Sequence, residues 1–159
     1  MAAIPALWYF VPVASLVALL SAYLFFRSMI KMPEGTSRMR EIAQYVKEGA
    51  FAYLSRQYKT VSIVFALLFL VFVVLAILGI QNPFVPIAFL TGGFFSGLCG
   101  FLGMKTATSA SSRTAAGAQS SLNKGLVIAF RSGAVMGLVV VGFGLLDISL
   151  WFYALNFIY

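Results

Sequence analysis

Four long apolar stretches divide the chain, and each is long enough to cross a lipid bilayer as a helix. They cover about residues 4–26, 61–80, 84–104 and 134–158. A helix of about 20 apolar residues, rising about 1.5 Å per residue, spans the hydrocarbon core of a membrane. Asp147 is the one charged residue inside these stretches. The pattern therefore predicts an all-α integral membrane protein, with four transmembrane helices in up-and-down order in residues 1–159.

The polar segment of about residues 27–60 contains a second helical pattern. Pro33-Glu34-Gly35-Thr36-Ser37 is a turn cluster with candidate helix N-caps. Apolar residues then recur every three or four positions: Met39, Ile42, Val46, Ala50 and Tyr53. This period predicts an amphipathic helix that continues into the second span without a break.

Three of the four acidic residues lie in this segment. Glu34, Glu41 and Glu48 are seven residues apart and alternate with basic residues. They could form a cation site or bind magnesium pyrophosphate, or they could be a solvated helix face with weak ion pairs. We favour the solvated face, because charge patterns of this kind have low specificity.

The second polar segment, about residues 105–131, consists mainly of small residues between Lys105 and Gly125. Its composition would suit a flexible linker. Its alanine content also permits a helix that packs closely against others. We expect a helical extension of the third span.

Small residues recur four positions apart in the third and fourth spans. Such seams let transmembrane helices approach closely, which is the main source of helix association in lipid. The residues that we assign to helix packing are Gly93, Gly97, Gly100, Gly133 and Gly137. A phosphate-binding glycine loop is not indicated, because no strand precedes these glycines and no Gly-Lys-Ser/Thr follows them.

Asp147 is a candidate ion-linked residue, because an acid at membrane depth is a functional hypothesis by default. It lies roughly 20 Å along the helix from the cytoplasmic edge near Ala134, at about 1.5 Å per residue. At that depth it could bind a transported cation, face the outer water, or pair with a polar group on another helix. We favour the last two readings.

Composition and charge set the class and the orientation. Hydrophobic residues make up 62% of the chain and charged residues 9%, with 11 Lys and Arg against 4 Asp and Glu. All 11 basic residues lie in the two polar segments, so both are expected in the cytoplasm and both termini outside. Topology thus explains the positive charge, and a nucleic-acid partner is not expected. The absence of His and the single Cys exclude His-ligated metals, disulfides and His-based triads within the chain.

Several longer motifs resemble the N-terminal part of membrane-bound pyrophosphatases. The first is Gly100-Phe101-Leu102-Gly103-Met104-Lys105-Thr106-Ala107-Thr108, followed by Arg113 and by Ala129-Phe130-Arg131-Ser132-Gly133-Ala134-Val135-Met136-Gly137. The first polar segment agrees through Pro33-Glu34-Gly35-Thr36, Arg38-Met39, Ile42 and Glu48-Gly49-Ala50-Phe51. The resemblance covers nearly the whole chain and is closest to the bacterial sodium-pumping members.

The resemblance implies a homodimeric, pyrophosphate-energised pump that uses Mg²⁺, with or without K⁺, to couple pyrophosphate hydrolysis to Na⁺ or H⁺ transport. The expected location is the bacterial inner membrane. Family subunits are several times longer than this chain, and their acid-rich ligand motifs come later in the sequence. No such motif stands here, so the resemblance implies a fragment: outer-ring helices that pack against the remaining helices of the pump, without catalytic, cofactor-binding or metal-binding residues. Asp147 has no counterpart in the family pattern. The alternative is a self-standing four-helix transporter or assembly subunit that uses Asp147.

Overall fold

The computed structural model describes residues 6–158, and the regular secondary structure within that range is all helical. A short 3-10 helix, Ala6–Tyr9, precedes four α-helices. These are α1 (Phe10–Ile30), α2 (Ser37–Ile77), α3 (Val85–Ser120) and α4 (Leu122–Ile158). All four are long and apolar enough to cross a membrane, which confirms the predicted fold class. The predicted start of the first span at residue 4 lies outside the described residues.

Three of the helices extend well beyond the length of a membrane span. The amphipathic helix predicted after residue 37 is continuous with the second apolar stretch, and α2 contains 41 residues. The small-residue segment extends the third apolar stretch as a helix, as expected, so α3 contains 36 residues. Residues 122–131, which we expected in the connection, instead form the first turns of α4. Ser121 starts that helix, because its hydroxyl accepts a hydrogen bond of 3.2 Å from the Lys124 backbone N–H.

Local chemistry sets the turns. Thr36 caps α2, because its side chain accepts a hydrogen bond of 3.3 Å from the Met39 backbone N–H. Gly35, just before this cap, has a φ of 84°, and Gly79, just after α2, has a φ of 71°. Side chains other than glycine rarely adopt such angles, so both turns favour glycine.

The helices pack in the order α2, α3, α4, α1, so α1 lies mainly against α4 although α2 follows it in sequence. One core cluster joins α1, α3 and α4 through Ala22, Cys99, Val135 and Val139. A second cluster, nearer the predicted cytoplasmic end, joins the same helices through Met29, Ala110 and Ile128. The helix α2 packs mainly against α3. No residue of its most apolar stretch is fully buried, although Phe65 is partly covered.

The α2–α3 contacts show how these two helices are aligned. The Tyr58 hydroxyl donates to the carbonyl oxygen of Gly97, and the rings of Phe51 and Phe101 lie 5.8 Å apart. Phe51 and Tyr58 therefore lie beside the predicted third span, although both precede the predicted start of the second at Val61. The predicted cytoplasmic ends of these two spans, at Val61 on α2 and near Met104 on α3, therefore do not lie side by side. They are displaced along the helix axis by roughly three turns, at about 3.6 residues per turn.

Candidate functional site

The most elaborate polar site lies where the α1–α2 turn meets the extended part of α3. Arg113 is 9% exposed, and one of its guanidinium nitrogens lies 2.8 Å from a carboxylate oxygen of Glu34. The other two guanidinium nitrogens donate to the carbonyl oxygens of Met32, at 3.1 Å, and of Ser109, at 2.5 Å. The planar, five-donor guanidinium suits this set of acceptors. Arg113 therefore fastens the turn to α3.

The three glutamates have separate partners. Glu41 pairs with Arg38 at 2.8 Å on an exposed face, and Glu48 accepts a hydrogen bond of 2.8 Å from Gln44. The seven-residue spacing suggested that all three glutamates share one helix face. Glu34 instead lies in the turn before α2, and only the other two lie on the helix. The structure thus supports the interpretation of a solvated face for Glu41 and Glu48.

The described residues do not fit a resident Mg²⁺ ion. Mg²⁺ requires several oxygen ligands in octahedral geometry. Across residues 6–158, no group of three or more His, Cys, Asp or Glu side chains lies close enough to hold a metal ion. Each glutamate already has its own partner, and Asp147 is far from them in sequence.

Two glycines of the predicted seams are sites of close packing within the chain. A Cβ added to Gly93 would overlap the ring of Phe65, and one added to Gly100 would lie 3.0 Å from the hydroxyl oxygen of Tyr58. Gly97 is different, because an added Cβ would meet nothing within 4 Å while its carbonyl accepts the Tyr58 hydrogen bond. The glycines of the third span thus form the surface of α3 against which α2 packs.

The fourth-span glycines face outward. An added Cβ at Gly133 or Gly137 would meet nothing within 4 Å, and both residues are exposed in this chain. They lie on one face of α4 with other exposed residues, among them Phe130, Val140 and Val141. The seam role assigned to Gly133 and Gly137 therefore stays a prediction about other helices.

Asp147 lies where α3 and α4 meet, toward the predicted outer side. Its carboxylate would be 3.6 Å from a Cβ on Gly92, and it lines a cavity of about 550 Å³ with Thr91 and Trp151. The indole N–H of Trp151 donates to the Thr91 hydroxyl at 2.8 Å. No hydrogen bond or ion pair of the Asp147 carboxylate is found among the described residues. These contacts do not test the predicted role of Asp147 as an ion-linked residue, which stays a prediction.

Sequence reasoning missed two polar contacts of α1 with α4. Ser15 is fully buried, and its hydroxyl donates to the Gly142 carbonyl oxygen at 2.8 Å. Arg131, which the sequence analysis named only within a longer motif, donates to the hydroxyl of Ser28 at 2.7 Å. A serine inside an apolar stretch is the signal that could have indicated the first contact, because such hydroxyls often bond across helices.

These features define a multi-span membrane protein whose helices associate by close packing and a few polar contacts. The family model described as inorganic H⁺ pyrophosphatase matches residues 16–158. The chain belongs to this family, which confirms the resemblance found in the sequence.

The individual relatives include proteins named as sodium pumps and proteins named as proton pumps. The chain is 62% identical over 151 residues to a putative K(+)-stimulated pyrophosphate-energized sodium pump of Bacteroides thetaiotaomicron, covering 94% of this chain and 21% of the relative. It is 44% identical to K(+)-insensitive pyrophosphate-energized proton pump 2 of Moorella thermoacetica, covering 91% of this chain and 20% of the relative. It is 38% identical to a K(+)-stimulated pyrophosphate-energized sodium pump of Thermotoga maritima, covering 92% and 19%. The chain thus spans about a fifth of the length of these relatives.

Proposed function

We propose that the full-length polypeptide containing this chain hydrolyses pyrophosphate and uses the released free energy to move Na⁺ across the membrane. The observation that carries the proposal is the 62% identity to a sodium pump over 94% of the chain. The choice of Na⁺ over H⁺ follows the same comparison, since the proton pump of Moorella thermoacetica is 44% identical. K⁺ stimulation is proposed on the same ground.

In this proposal the chain is scaffold, and the catalytic residues belong to later parts of the polypeptide. Phosphoryl transfer needs metal ions and cationic groups around a highly charged substrate. The described residues offer no such set of carboxylates. Mg²⁺ would act on pyrophosphate elsewhere in the protein.

The proposed topology places both ends of the chain outside and both polar segments in the cytoplasm of a bacterial plasma membrane. It is supported by the position of all 11 Lys and Arg residues in the two polar segments. The bilayer, the remaining helices of the same polypeptide and a second subunit are the proposed partners.

The outward glycine face of α4, defined by Gly133 and Gly137, is the proposed contact with later helices of the polypeptide. Exposed glycines in a lipid-facing helix gain nothing from lipid, whereas a neighbouring helix can approach them closely. Because the chain covers about a fifth of its relatives, the proposal places the contacting helices in the rest of the full-length polypeptide.

The test uses the full-length polypeptide, purified and reconstituted in phospholipid vesicles. We expect pyrophosphate with Mg²⁺ to drive uptake of radioactive Na⁺, with phosphate release that K⁺ accelerates. A protonophore should leave Na⁺ uptake intact or raise it, because Na⁺ would be the pumped ion. Phosphate release with proton uptake and no Na⁺ uptake would refute the ion assignment, and absence of pyrophosphate-dependent phosphate release would refute the function.

A graded series at Gly137 tests the helix contact. Gly137→Ala, Gly137→Val and Gly137→Leu should lower the yield of assembled, active protein in the order of side-chain volume. A lipid-facing position would tolerate all three substitutions, and that result would refute the contact.

A further inference from the structure

A polar cavity of about 270 Å³ lies between the first turns of α2 and the extended part of α3. Its lining combines basic and hydroxyl side chains with little apolar surface. The residues that matter for its chemistry are Arg40, Lys47, Ser109, Ser112 and the Glu34–Arg113 pair. None of these residues has a part in the proposed transport of ions.

The cavity carries an excess of positive charge. Arg113 and Glu34 neutralise each other at 2.8 Å. Arg40 and Lys47 lie seven residues apart, about two turns, on the same face of α2. Neither has an ion pair or hydrogen bond with any residue in the described range 6–158. Two unpaired cations therefore border one cavity, and the charge of the pair beside them sums to zero.

The opposite wall supplies hydroxyl donors. Ser109 and Ser112 are neighbours on α3, about one turn apart, and Ser112 is 7% exposed. In the part of the chain that the structure describes, neither hydroxyl has a hydrogen-bond partner. The nearby Thr108 hydroxyl, by contrast, is engaged by the carbonyl of Met104 at 2.8 Å. A guanidinium, an ammonium and two hydroxyls are the donors that bind phosphate oxygens in proteins.

We propose that this cavity binds a phosphate group, with Arg40 and Lys47 balancing its negative charge and the hydroxyls of Ser109 and Ser112 donating to its oxygens. The site lies at the cytoplasmic end of α1, since Ile30 also lines it. Such a position can receive either free phosphate from the cytoplasm or the headgroup of an anionic phospholipid. The proposal does not depend on the function proposed above.

The test measures how fast Lys47 reacts with an amine-acylating reagent in the full-length polypeptide, with peptide mass spectrometry as the readout. One arm uses delipidated protein in neutral detergent, titrated with orthophosphate at constant ionic strength. The other compares vesicles of phosphatidylcholine with vesicles that also contain phosphatidylglycerol. Lys31 provides the internal control, because it is exposed and does not line the cavity.

A phosphate site predicts severalfold slower acylation of Lys47, with Lys31 unchanged. Saturable protection by orthophosphate would identify free phosphate, and protection only with phosphatidylglycerol would identify the lipid headgroup. Ser112→Ala and Arg40→Gln should each abolish the protection, whereas Arg38→Gln should preserve it.

Three results would overturn the proposal. One is no protection of Lys47 in either arm. Another is equal protection of Lys31, which would indicate screening by charge. The third is a Lys47 that does not react even in delipidated protein without phosphate, which would mean that another part of the polypeptide fills the cavity.

Discussion

Arg113 on α3 holds Glu34, in the turn between α1 and α2, at 2.8 Å, although 79 residues separate them in sequence. The arginine side chain is 11% exposed and the glutamate side chain 43%. The arginine also donates to the Met32 carbonyl oxygen. One buried side chain thus joins the end of α1, the turn and α3, which brings the two polar segments of the chain into contact.

Removing Arg113 should destabilise this junction far more than removing Glu34. Arg113→Met would leave the Met32 carbonyl and the glutamate without their donor, at a cost of about 2 to 4 kcal/mol. Glu34→Gln should cost less, about 1 kcal/mol, because the amide oxygen of glutamine can still accept a hydrogen bond from the Arg113 guanidinium. The measurement is the free energy of unfolding of the full-length polypeptide in detergent.

Arg38→Gln is the matched control for this prediction. It removes an exposed ion pair with Glu41 and should cost less than about 0.5 kcal/mol. Equal losses for Arg113→Met and Arg38→Gln would contradict the structural role of Arg113.

Gly93 and Gly97 allow a comparison within one helix. Gly93→Ala would force the Phe65 ring away, and that ring is stacked on Phe89 with centroids 4.1 Å apart. Overpacking of this kind typically costs about 1 to 3 kcal/mol. Gly97→Ala should be neutral or stabilising, because its Cβ meets nothing within 4 Å and alanine favours helix. Thermal unfolding of both variants in detergent would test the difference, and a larger loss for Gly97→Ala would refute the α2–α3 contact.

Hydropathy alone predicted the four helices, because a backbone in lipid must satisfy its hydrogen bonds within the segment. The three-to-four-residue period from Met39 to Tyr53 also predicted that α2 is continuous. The packing order was not predictable in this way. Ser15 gives no indication in sequence that its acceptor is Gly142, 127 residues later.

The glycine spacing likewise does not predict which helices pack together. Gly93 and Gly137 have the same four-residue pattern, yet one receives a phenylalanine ring and the other faces open space in this chain. The spacing encodes how closely a helix can be approached, and it does not encode which helix approaches. The sequence analysis named Arg113 only as part of a motif. Its role at the junction was not predictable, because backbone carbonyl acceptors have no sequence signature.

The Tyr58 hydroxyl provides a polar link between α2 and α3. Tyr58→Phe removes its hydrogen bond to the Gly97 carbonyl and should cost about 0.6 kcal/mol, a typical value for such bonds in membrane proteins. Tyr53→Phe is the control, because Tyr53 is 62% exposed and its hydroxyl bonds to no other described residue. The comparison is made by unfolding in detergent, and equal stability of both variants would show that the bond contributes nothing.

Asp147→Asn distinguishes a structural acid from a coupling acid. The carboxylate lies against α3 near Gly92, in the outer part of the bilayer by the proposed topology. The other acids of the described residues, Glu34, Glu41 and Glu48, have partners of their own elsewhere. We therefore expect the variant to keep both pyrophosphate hydrolysis and the number of ions moved per pyrophosphate. The measurement pairs phosphate release with Na⁺ uptake in vesicles, with Thr91→Ala as a control for disturbing the same cavity. Hydrolysis that continues without ion uptake in Asp147→Asn alone would instead assign this carboxylate to the ion path.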